Sequence, residues 1–158
     1  MTHGPGGVLH DYVPFYFAPR SPMLYSISRG KVVGYDGGQA PVIHLVTTAQ
    51  QVQAMGLQFA FTDGHGIMSL TNFFDDLDAL DRVDWSIMRA RQWAWANGDG
   101  DSGRRRQAEF LIWHVLPWSA ILEIGVINAT MQRVVNGLLS TERHQPPVRV
   151  HQDWYYQL

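Results

Sequence analysis

Cysteine is absent from the 158-residue chain. That removes a thiol nucleophile, an iron–sulfur cluster and a thiolate zinc site, and it fits a cytoplasmic protein. Lysine is almost absent as well: Lys31 stands alone against eleven arginines. A guanidinium fork holds phosphates and stacks on bases better than an ammonium does, so the bias suits a phosphate-bearing ligand as well as it suits a coding preference. The formal net charge of −2 supplies no global field to recruit nucleic acid. No apolar run approaches the roughly twenty residues of a membrane span. The opening "MTHGPGGVLHDY" lacks the basic start and apolar core of a signal peptide. The patterns GxGxxG, GxxxxGK[ST] and HExxH are missing, and the seven histidines show no ligand spacing, so no metal is expected.

What is present reads as one α+β domain over residues 1–158, long enough to bury roughly two-thirds of its unfolded surface. Leu9 to Phe17 predicts a strand. Ser21-Pro22 has helix-start chemistry, with Gly30 as the C-terminal cap. Val42 to Val46 is a β-branched strand, and Thr48 with Gln51 forms a capping box for a helix that Gly56 stops. "LQFAFTDGHG" is a strand running into a turn, and the aspartate-rich "SLTNFFDDLDALDRV" is a solvated connection. A helix is expected from Asp84 to Trp95, followed by a loop over 96–106. "AEFLIWHV" and "ILEIGVIN" are buried strands, "ATMQRVVNGLL" is a helix, and "PVRVHQDWYY" is a final strand.

Glu109 needs explaining. Alternation puts it on one face of its strand with Leu111 and Trp113, a costly place for a carboxylate that is neither paired nor used. Three readings stay open: a salt bridge to Arg104, Arg105 or Arg106, a strand end still in water, or a catalytic carboxylate. Arg20 poses the same problem with opposite sign, being either bonded to strand-end carbonyls or turned towards an anion. His65 is a plain turn histidine or a ligand contact, and Trp154-Tyr155-Tyr156 are core aromatics or a stacking surface. Ser21 lacks a GxSxG elbow and is no hydrolase nucleophile.

The ordered segments "HDYVPFYFAPRSPMLYSISRG", "GYDGGQAPVIHL", "FAFTDGHG", "RRRQAEFLIWHVLPWSAILEIGVIN" and "WYY" resemble the DarT family of DNA ADP-ribosyltransferase toxins across nearly the whole chain. The resemblance implies an ADP-ribosyltransferase fold, a split β-sheet with flanking helices, that cleaves NAD⁺ and moves ADP-ribose to a base of single-stranded DNA. It implies Glu109 and Arg20 as catalytic, and Arg20, Ser21 and Tyr16 around NAD⁺. His65, Arg104, Arg105, Arg106 and Tyr155 fall to the DNA, with "GDGDSGRRRQ" as the substrate-recognition loop. It further implies a toxin–antitoxin pair whose partner is a macrodomain hydrolase. Family members usually carry an additional N-terminal segment whose histidine helps seat NAD⁺; the resemblance implies that this chain starts downstream of it, at "MTHGPGGVLH", and that His10 is not that residue. The alternatives are an inactive remnant that binds nucleic acid or a protein partner, and a transferase whose acceptor is protein or RNA.

Overall fold

The structure, a computed structural model, describes residues 4–91 and 100–157. In chain order the elements are β1 (Tyr12–Tyr16), α1 (Pro22–Ser28), β2 (His44–Val46), α2 (Ala49–Ala54), β3 (Phe59–Thr62), β4 (Phe73–Phe74), α3 (Trp85–Arg89), α4 (Ser102–Arg105), β5 (Glu109–Trp113), β6 (Glu123–Val126), α5 (Ala129–Leu139) and β7 (Val148–Val150), with short 3-10 turns between some of them. They form two sheets with helices between strands, the expected α+β class. The sequence shows no internal boundary, yet the chain divides into two compact units, Met1–Ser21 with Thr48–Leu116 and Pro22–Thr47 with Pro117–Leu158.

The first unit is built on a sheet of order β1-β5-β3-β4, all neighbours antiparallel. Pro14 sits in the edge strand β1, where a missing N–H is tolerated. Strand alternation sorts the side chains into two faces. One carries the main core, where Phe59, Phe61, Phe110 and Ile112 pack with Val52, Val83, Ile87 and Met88. Phe59 stacks on Phe110 at 5.0 Å between ring centroids, Phe61 stacks on Phe74 at 5.3 Å, and Phe17 meets Phe61, Phe110 and Trp85 edge-on. The other face carries a smaller cluster of Tyr12, Ala60 and Leu111 with Leu9, Phe73 and Trp113. Glu109 belongs to this thinner face.

The second unit has the order β2-β6-β7, with β2 antiparallel and β7 parallel to β6. A parallel pair needs a crossover, and α5 supplies it, started by the Asn128 side chain accepting from the Met131 N–H at 3.0 Å. Gly125 has no room for a side chain beside the Trp154 ring.

Several expected elements are shorter than their patterns. Leu9–Asp11 is a 3-10 turn rather than strand, because the Asp11 carboxylate accepts the Val8 N–H at 2.8 Å. The aspartate-rich connection contributes the two-residue β4 and a 3-10 turn at Leu77–Arg82. The final strand stops at Val150 and continues as a 3-10 turn, Gln152–Trp154. Residues 102–105, expected as loop, form α4. Residues 92–95 of the expected helix and 96–99 of the loop lie outside the described residues. Among the described residues no helix is long and apolar enough to cross a membrane.

Phe61 is fully buried at the centre of the aromatic stack. Phe61→Ala is expected to lower unfolding stability by about 3–5 kcal/mol. Guanidinium unfolding checks this through a lower midpoint at unchanged slope.

Candidate active site

Glu109 opens β5 opposite Tyr16, the last residue of β1. Its backbone N–H donates to Thr62 Oγ1 at 2.9 Å, and the Thr62 hydroxyl donates to the Gly64 carbonyl at 2.7 Å. Thr62 is fully buried, so this one side chain joins the start of β5 to the turn after β3. That turn brings the Gly66 N–H to Glu109 Oε2 at 3.4 Å. A Cβ at Gly66 would stand 3.0 Å from the same oxygen and 3.4 Å from a Leu9 methyl. A side chain at position 66 would therefore crowd the carboxylate.

Burial pushes the Glu109 carboxyl above its ordinary value, against the opposing pull of the Gly66 N–H and of His65. The Tyr16 phenol is also raised, first by burial and then by the charge of Glu109, so it stays protonated and able to donate. His65 is held by its backbone: its N–H donates to the Arg104 carbonyl at 3.1 Å, and its own carbonyl accepts from Thr71 Oγ1 at 2.8 Å. Its Nδ1 is buried and has no hydrogen-bond partner among the described residues.

The salt-bridge reading of Glu109 is not what the structure shows, because the three arginines before it are engaged elsewhere. Arg104 forks onto Asp101 at 2.7 and 2.8 Å and reaches Asp63 at 3.4 Å and Thr71 Oγ1 at 3.3 Å. Arg105 pairs with Asp84, which also caps α3, and lies 3.5 Å from Asp101. Arg106 is 3 % exposed. It donates from Nε and Nη2 to the Arg20 carbonyl at 3.3 and 3.0 Å, and from Nη1 to the carbonyls of Ile87 and Met88. Expected along a DNA strand, these guanidinium groups bind the protein's own carboxylates and carbonyls in this structure.

Arg20 is half-buried and Ser21 buried just beyond β1, with the Ser21 N–H bonded to the Pro19 carbonyl at 3.0 Å. Arg20 follows Tyr16 by four residues, and its carbonyl is held by Arg106, three residues before Glu109. Tyr155 belongs to the second unit and departs from the stacking role read for it. It is 3 % exposed, its hydroxyl donates to the Val42 carbonyl at 2.7 Å, and burial pushes its pKa up to about 12. A covered ring offers no open face to a base.

Thr62 and Gly66 went unrecognised in the sequence beyond strand and turn chemistry. The signal was the tight "TDGHG", whose glycines answer to neighbours far along the chain: Gly66 to Glu109, and Gly64 to the Arg104 guanidinium, which occupies the space of a side chain. No group of three acidic or histidine residues among the described residues is placed to hold a metal.

A half-buried carboxylate of raised pKa with a donor phenol opposite can stabilise positive charge and take up a proton, chemistry that glycosyl transfer requires. Comparison with known proteins narrows the class to ADP-ribosyltransferases. Residues 1–156 match the family described as "ssDNA thymidine ADP-ribosyltransferase, DarT". A DNA ADP-ribosyl transferase of Thermus sp. (strain 2.9) is 46% identical over 154 residues, covering 96% of this chain and 72% of the relative. The structure of Thermus sp. 2.9 DarT in complex with NAD⁺ superposes with a TM-score of 0.93 at 44% identity, covering 99% of this chain and 78% of that one. Its complex with ADP-ribosylated ssDNA gives 0.92 at 44% identity, over 99% and 74%. The chain belongs to the DarT family.

The raised Glu109 also has a consequence for stability. A carboxyl whose folded-state pKa exceeds its unfolded value binds its proton more tightly when folded. The penalty for ionising it is absent in acid, grows as pH rises through that interval, and is complete once the pH exceeds the folded-state value. Glu109→Gln is therefore expected to melt above the parent at pH 7, with the gap closing towards acid pH. A variant that melts below the parent at neutral pH contradicts this.

Proposed function

We propose that this chain cleaves NAD⁺ and transfers its ADP-ribose to a thymine base in single-stranded DNA. The observation that carries the reading is Glu109, a carboxylate kept half-desolvated on the thinner face of the sheet and contacted by one backbone N–H. Its solvation there is incomplete in the ground state, so a cation developing beside it gains more than the substrate does.

In the reaction the bond between ribose C1′ and the nicotinamide nitrogen breaks, and its electron pair leaves with neutral nicotinamide. Positive charge develops on the ribose, where the Glu109 carboxylate stabilises it. A ring nitrogen of thymine bonds to C1′ and gives up its proton. Glu109 is fitted to receive that proton, because burial lifts its basicity above that of an exposed glutamate. Tyr16, protonated and opposite Glu109, donates to the bound dinucleotide, and Arg20 with the buried Ser21 seats it. His65, one residue before the N–H that touches Glu109, is assigned to the DNA strand in this reading. Modification of single-stranded DNA would arrest the cell that makes this protein. The family resemblance supports a toxin acting in the cytoplasm, paired with a macrodomain hydrolase that removes the adduct.

Incubation with NAD⁺ and short oligonucleotides, followed by mass measurement of the DNA, tests this. The parent chain should add one ADP-ribose to thymine-containing strands and none to strands lacking thymine. Glu109→Gln should cut the rate by about 10²-fold or more while the chain remains folded. An unmodified oligonucleotide with the parent would instead support the inactive remnant.

The pH profile supplies a separate check. Glu109 must be ionised, so the rate should fall in acid with an inflection above the ordinary glutamate range. His65 lowers the Glu109 pKa, so His65→Ala should move that acid limb to higher pH. A limb that stays put or moves to lower pH contradicts the arrangement.

A further inference from the structure

Three consecutive arginines reach three different segments. Arg104 holds the His65 turn through Asp63 and Thr71, Arg105 holds the N-terminal cap of α3, and Arg106 holds Arg20 and the carbonyls of Ile87 and Met88 at the other end of that helix. Arg106 differs from its neighbours in burial and in its partners. Its guanidinium stays charged under all working conditions and presents five N–H groups in a fixed plane. Two of them converge on the single carbonyl oxygen of Arg20, and Nη1 serves the two α3 carbonyls. A fork on one carbonyl fixes the direction of the chain as well as its distance. Cationic charge at the end of a helix is itself favourable. Arg106 lies three positions before Glu109, so one buried side chain sets the Arg20 backbone against the strand that carries the carboxylate.

We propose that Arg106 is a positioning residue for NAD⁺ that acts through Arg20. The proposal rests on the reading of Arg20 as an NAD⁺ contact. Lysine at 106 keeps the charge but offers a point donor on a flexible stem, so it satisfies one carbonyl without orienting Arg20. The loss should therefore appear in dinucleotide affinity and should vanish once the Arg20 side chain is gone.

The test is a double-mutant cycle in the Glu109→Gln chain, chosen because slow turnover is expected to leave equilibrium binding readable. NAD⁺ is titrated calorimetrically into this background and into Arg106→Lys, Arg20→Ala and the double variant made in it, with a melting curve on each. Arg106→Lys should weaken NAD⁺ binding by about tenfold, a coupling of ordinary size for groups that touch. Adding it to Arg20→Ala should change binding by less than about twofold. Equal losses in both backgrounds, or none in either, overturn the proposal. So does an Arg106→Lys chain without a cooperative melt, which would make Arg106 a folding residue. Unchanged affinity in Arg20→Ala alone removes the assignment of Arg20 to NAD⁺ and shows that the failure lies in that reading.

Discussion

A carboxylate held partly out of water is the constraint around which the first unit is arranged. Glu109 opens the strand whose alternate residues, Phe110 and Ile112, form the main core, so β5 cannot shift without disrupting that packing. The pleat directs Glu109 to the thinner face, beside Leu9 and opposite Tyr16. A full salt bridge would stabilise the charge and lower its basicity. The structure gives it one long N–H contact and the influence of His65 instead, and burial outweighs both. A group that costs the folded state stability in this way is the kind retained where chemistry is done, which is the role proposed for Glu109.

The surrounding charges are spent on geometry. Each arginine of the 104–106 run is fixed by aspartates or backbone carbonyls, and besides Asp101 at the start of α4 those partners belong to the His65 turn, to α3 and to the Arg20 segment. Burying a guanidinium is expensive unless its donors are satisfied, and Arg106 spends its donors on three carbonyls. With a net charge of only −2 there is no broad basic field.

Local chemistry was legible in the sequence. Thr48 caps α2 by accepting the Gln51 N–H at 3.0 Å, Gly30 and Gly56 take positive φ where those helices stop, and period-two alternation placed Glu109 with Leu111 and Trp113. Long-range partners were not legible. Arg106 and Arg20 are 86 residues apart, and Thr62 is bonded to a strand 47 residues later. A run of three arginines looks the same whether it faces solvent or turns inward. Tyr155 illustrates the converse, since an aromatic that pattern alone leaves as core or surface is settled by the Val42 carbonyl it bonds. The family resemblance singled out Glu109 and Arg20 where periodicity raised only a question, and it gave no sign that Tyr155 and the 104–106 arginines turn inward.

The most direct measurement is the titration of the Glu109 carboxyl carbon itself by NMR in the chain labelled with ¹³C. A single carboxyl whose midpoint lies above the ordinary glutamate range, and which is lost in Glu109→Gln, is the expected result. A midpoint at or below that range would show a solvated or paired carboxylate and contradict the account.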